Sequence, residues 1–127
     1  MQLHELATEW VKAQKLERDE NRIFNPPAID EVIDLSINDP EALWTLILEI
    51  LSMDNIDNEV IDSLGAGPLE DLISDHGEKY IDRIKEELFK NNKLASALNF
   101  VWVSENVKPS VKEYTNLGCQ FVSAKAT

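Results

Sequence analysis

The chain has 127 residues, 43% of them hydrophobic, and a formal net charge of −12, so it can bury one domain's core unaided and is too apolar for general disorder. A negative field of that size repels phosphate backbones and anionic membranes, which argues against nucleic acid and lipid surfaces as partners. Cys119 is the only cysteine, which excludes a disulfide framework and a zinc site of several thiolates.

Met1-Gln2-Leu3-His4-Glu5 lacks a basic n-region, so it does not read as a signal peptide. The longest apolar run, Leu43 to Leu51, is interrupted by Thr45 and Glu49, too short and too polar for a membrane span. A cytoplasmic protein is expected.

Leu3, Leu6, Ala7, Trp10 and Val11 recur at helical spacing and predict a first helix over 1–18. Residues 19–27 are polar, charged and closed by Pro26-Pro27, which reads as a linker pinned by Phe24. A second helix is expected to turn Ile29, Val32 and Ile33 inward. Asp39-Pro40-Glu41 then supplies an N-cap, a proline at N1 and an acid at the positive end of the dipole. The third helix it opens would bury Leu43, Trp44, Ile47, Leu48 and Leu51. A fourth should start near Asp57 and bury Val60, Ile61 and Leu64.

Leu64 to Leu69 reads as a stop, a turn and a new start. Gly65 suits a left-handed C′ position, Gly67 a bend, and Pro68 the N1 of a fifth helix. That helix would present Leu69, Leu72 and Ile73 and end at Gly77. Tyr80, Ile81, Ile84 and Leu88 mark a sixth. Leu94, Leu98, Val101 and Trp102 mark a seventh, capped by Asn91 or Asn92. Ser110 to Leu117 suits one more short helix before Gly118. No stretch alternates with period two, and Phe121-Val122 is too short to argue a strand.

The expected fold class is therefore all-α, a single domain of about seven short helices. Residues 28–104 form its core, and 105–127 are a C-terminal extension, either part of the same domain or partly loose. Five positions echo at an offset of 52: Ile29/Ile81, Asp30/Asp82, Val32/Ile84, Asp39/Asn91 and Leu46/Leu98. Such an echo suggests two related hairpins, stacked as a compact bundle or short solenoid.

The run Leu64-Gly65-Ala66-Gly67-Pro68-Leu69-Glu70-Asp71-Leu72, followed by His76-Gly77 and Ile81-Asp82-Arg83, resembles a bacterial family of small helical proteins of unknown function. Asp39-Pro40-Glu41 with Trp44, and Val101-Trp102, belong to the same likeness, which covers about Ala28 to Val103. Asn91-Asn92 departs from the family's Asp-Pro. The resemblance implies a bacterial, cytoplasmic helical domain and transfers no catalytic role.

Catalysis is not expected. His4 is remote from Cys119, no G-x-S-x-G occurs, and the carboxylates are too many to single out an acid and a base. Asp71, Asp75 and His76 share one helical neighbourhood but lack a second histidine, and Asp54, Asp57 and Glu59 miss the calcium-loop spacing at Ile56. No metal and no cofactor are expected. The Gly65–Asp71 turn lacks the basic residues of a phosphate cradle, and Glu70 and Asp71 would repel an anion there. Trp10, Trp44 and Trp102 fall in apolar stripes and are read as core.

The acids themselves remain. Residues 23–78 hold fourteen Asp and Glu and no Lys or Arg. A merely soluble surface mixes signs and gains from i,i+4 pairs; this one forgoes them. The expected function is an acidic protein-binding module, of the immunity type, docking Asp54, Asp57, Glu59, Asp62, Glu70, Asp71 and Asp75 on a basic partner such as a nuclease-like toxin. The alternative is a structural or adaptor domain whose partner is not selected by charge.

Overall fold

A computed structural model describes residues 2–17 and 27–122; the expected linker, the Phe24 pin and the last few residues lie outside this range. The order is α1 (Leu3–Glu17), α2 (Pro27–Asn38), α3 (Pro40–Leu51), α4 (Asn58–Leu64), a π turn (Gly65–Leu69), α5 (Glu70–Leu88), α6 (Asn92–Leu98), β1 (Trp102–Ser104), a 3-10 turn (Glu105–Val107), α7 (Val111–Asn116) and β2 (Gln120–Val122). The protein is mostly all-α, as expected.

Local chemistry sets the helix starts. Asp39 accepts from the Ala42 amide at 3.1 Å with Pro40 at N1, and Asp57 accepts from the Val60 amide at 2.9 Å. Asn91 accepts from the Lys93 and Leu94 amides. Each satisfies a donor that the first helical turn leaves unpaired. Most of the echoed positions carry matching roles: Asp39 and Asn91 both cap, while Val32 with Ile84 and Leu46 with Leu98 are all buried; Ile81 is buried and Ile29 only partly so.

The core runs through Leu43, Ile47, Leu64, Leu72, Ile73, Ile84 and Leu98, all fully buried. Trp44 and Tyr80 meet with ring centroids 6.2 Å apart. Glu41 accepts from both the Tyr80 hydroxyl and Arg83, whose guanidinium lies 5.0 Å from the Tyr80 ring centre. Thus α3 and α5 are tied at one end by a charged clasp and along their length by apolar packing.

Several expectations are overturned. Gly65 is right-handed (φ −64, ψ −47), and α4 passes through the π turn into α5 without a break. Pro68 opens no helix. It lies inside the π turn, where the Glu70 amide reaches the Gly65 carbonyl across five residues; the wider step accommodates a residue with no N–H to donate. The glycine is needed for proximity, since a Cβ at Gly65 would overlap the Ala97 carbonyl of α6. The left-handed glycine is Gly118, with φ 108.

Gly77 does not end a helix either. The expected break between a fifth and a sixth helix falls one residue earlier, at the non-helical His76 (φ −136, ψ 18), a kink that joins two helical segments within α5. Val107 and Tyr114 fill the space a Gly77 Cβ would need, and the buried Tyr114 hydroxyl donates to the Gly77 carbonyl at 2.8 Å. In this way α7 and the 3-10 turn are docked into the kink.

Two strands also exist. β1 and β2 pair in parallel, Trp102 with Gln120, Val103 with Phe121 and Ser104 with Val122, and α7 forms the crossover that a parallel pair requires. Past Leu98 the period changes from helical to extended. Val101 and Val103 therefore point inward while Trp102, expected in the core, is 52% exposed. On α2 the buried stripe is Ala28, Val32 and Ser36, and Ile33 is 48% exposed. Small residues at 28 and 36 let α2 approach its neighbours, which rotates Ile29 and Ile33 away from the core.

Candidate functional site

The outward stripe of α2 forms one wall of a groove. Ile29 and Ile33, with the edge of the buried Val32, face Trp10 of α1 and Pro68 of the π turn; Gln14, Ser63 and, in the first turn of α5, Asp71 add polar groups to the lining. The hollow has a volume of about 460 Å³, within the roughly 300–1,000 Å³ common for ligand clefts. Because the π turn feeds directly into α5, the amide of Glu70 is already satisfied. No ring of free helix-start amides is available to bind an anion or to compensate Asp71.

Asp71 is partly buried, and its carboxylate makes no hydrogen bond or ion pair among the described residues. Burial is the main cause that raises its pKa above 3.8; the charges of Asp75 and then Glu70 add to it. The ionised form is held at an energetic cost.

The other predicted contact residues divide into separate groups. Asp54 and Glu59 are exposed at the start of α4, Asp57 caps that helix, and Asp62 is partly buried in it. Glu70 accepts from the Trp102 amide at 2.8 Å and so anchors β1. Asp75 is exposed, on the edge of a second, polar hollow over the α5 kink that His76, Lys79 and Asn106 also line. The fold thus couples Glu70, Asp71 and Asp75 electrostatically and leaves the Asp54–Glu59 group at the far end of α4.

The ring of His76 lies with Nε2 3.1 Å from the Ser36 carbonyl, in the last turn of α2. This contact places the histidine at the C-terminal turn of a neighbouring helix. Among the described residues no three His, Cys, Asp or Glu are grouped to hold a metal ion. Cys119 is buried, and burial pushes its thiol up to about 12, far from the thiolate a nucleophile needs. Among those residues no helix is long and apolar enough to cross a membrane.

Sequence reasoning missed the groove because its walls come from three separate elements and Ile33 was assigned to the core. A signal was present: on α2, Ile29 and Ile33 form a second apolar stripe beside Ala28, Val32 and Ser36, and only one can face the core.

This chain belongs to a family of unknown function, DUF6869, whose model matches residues 15–116. The match reaches beyond the expected 28–103 in both directions, into α1 and through α7. No curated protein and no solved structure matches the chain.

Proposed function

We propose that this member of the DUF6869 family is an acidic protein-binding module of the bacterial cytoplasm, an immunity-type protein that docks on and neutralises a basic, nuclease-like toxin. The observation that carries this reading is the run from 23 to 78 with fourteen acids and no base. Arg83 reaches back to Glu41 and His4 to Glu49, whereas Asp71 is left ionisable in an apolar setting. Like charges kept together at a cost favour a cationic partner that relieves them.

The test is association kinetics with a basic toxin nuclease domain, taken from the neighbouring gene where that gene encodes one. Reversing Asp54, Glu59, Asp62 and Asp75 to lysine should slow association and flatten its salt dependence, while reversing Glu5 should do neither. Unchanged kinetics across the four reversals would discard the charge-selected partner.

A second reading, an adaptor whose partner is not charge-selected, is favoured by one feature. Phe100, Trp102, Phe121 and Val122, on and beside the small sheet, are each 39–52% exposed, and exposed apolar surface can mark a contact site. Trp102→Ala and Phe121→Ala would abolish partner binding under that reading and spare it under the first.

A further inference from the structure

We propose that the groove between α1, α2 and the π turn is a socket for one arginine side chain of the protein partner, with the guanidinium on the Asp71 carboxylate and the methylene stem against Ile29, Ile33 and Pro68. The inference rests on the basic-partner reading and names its anchor. Three observations carry it. The groove contains one carboxylate without a partner among the described residues, and no described residue of its lining is a lysine or arginine. Ile29, Ile33 and Pro68 give it an apolar side, with Gln14 and Ser63 as its neutral polar members, and Ile33 is still 48% exposed in the folded chain. And a Cβ at Gly67, on the rim, would meet nothing within 4 Å, so the described residues leave that edge of the groove open.

Charge decides the class of occupant. A second copy of this chain carries −12 and would be repelled, as would any anion. A metal ion needs more ligands than one carboxylate supplies. A cation with an apolar stem matches both halves of the groove. Arginine fits better than lysine, because a guanidinium is planar, weakly hydrated and able to pair with a carboxylate through two parallel bonds, whereas an ammonium holds its water tightly. The volume leaves room for the side chain and the backbone that presents it.

The probe is N-acetyl-arginine-N-methylamide, titrated into the ¹⁵N-labelled full chain, with the neutral citrulline and the lysine analogues as controls. Saturable shifts should appear at the amides of Ile33, Gly67 and Asp71 and at the Trp10 indole. The citrulline analogue should give none, and the lysine analogue should bind more weakly. Asp71→Asn should weaken the arginine probe about tenfold or more, as loss of a charge-assisted bond implies. Gly67→Leu, at a position where an added Cβ meets nothing within 4 Å, should block it while the circular dichroism spectrum stays helical.

Equal shifts with the citrulline analogue, undiminished binding to Asp71→Asn, or an unsaturating drift over all acidic positions would overturn the socket. Equal affinity for the lysine analogue would overturn arginine as its occupant. The two proposals fail separately. If the reversals at Asp54, Glu59, Asp62 and Asp75 slow association with the basic nuclease domain but Asp71→Asn does not change its affinity, the docking face stands and the socket falls. If neither set has an effect, both fall.

Discussion

Asp71 and Glu41 are two carboxylates of one acidic segment with opposite effects on folding. At Glu41, the hydrogen bond from Arg83 first and that from Tyr80 second hold the carboxyl below its ordinary 4.5. A depressed folded value means that its stabilisation is present above 4.5 and is lost as pH falls through the folded value. Glu41→Gln should therefore lower the melting temperature at pH 7, and the difference should close in acid. At Asp71 the folded value is raised, so folding prefers the protonated form. Its destabilisation is absent below the unfolded value near 3.8 and fully felt above the folded one. Asp71→Asn should raise the melting temperature at neutral pH, and that gain should shrink as pH approaches 3.8. A loss at pH 7 would mean that Asp71 is satisfied in the fold, and would remove the argument that it awaits a cation.

At the scale of elements, two glycines separated by one residue serve different purposes. Both lie in the continuous rod from α4 to α5. A side chain at Gly65 would strike the backbone of α6 at Ala97, and backbone cannot move aside cheaply. Gly65→Ala should cost about 1–3 kcal/mol, the usual range for overpacking. At Gly67 there is open space, so Gly67→Ala should be neutral or stabilise by about 0.4–1 kcal/mol through reduced freedom of the unfolded chain. Urea titration of the pair separates close approach from turn formation, because a left-handed Gly65 would have been penalised through φ. The kink is held from outside: Tyr114→Phe removes the bond to the Gly77 carbonyl and should cost about 0.5–1.5 kcal/mol. It should also raise hydrogen exchange in α7 more than in α3.

For the whole molecule, the net charge of −12 makes salt act in two directions. Exposed charges are screened beyond about 10 Å at 0.1 M salt. Added salt should therefore raise the melting temperature of the free protein, by damping self-repulsion, while it weakens a basic partner's binding. A melting temperature that falls with salt would show that attractive pairs such as Glu41–Arg83 outweigh the repulsion. Stability itself rests on the core. Leu72 and Ile47 are fully buried, and truncation of either to alanine should cost about 2–5 kcal/mol.

The helical class, the caps at Asp39, Asp57 and Asn91, and most of the core were legible in the chain, because capping and apolar periodicity act within a turn or two of each residue. What the residues alone could not decide depended on a distant neighbour. Gly65, Gly67 and Pro68 have the composition of a turn, yet contact with α6 and the π-helical step make them the middle of a rod. Gly77 looks like a stop; the break comes as a kink at the adjacent His76, and Gly77 is also the seat for Tyr114. Ile33 and Trp102 have core chemistry but face outward, since two adjacent stripes of α2 are equally apolar and the chain changes period after Leu98. The β1–β2 pair is too short to show in a pattern and forms only because α7 brings its strands side by side. The acid content was plain from composition, which sums charges regardless of place. That one of those acids lies partly buried in a groove, with no partner among the described residues, was decided by packing, because burial and pairing are properties of what surrounds a residue.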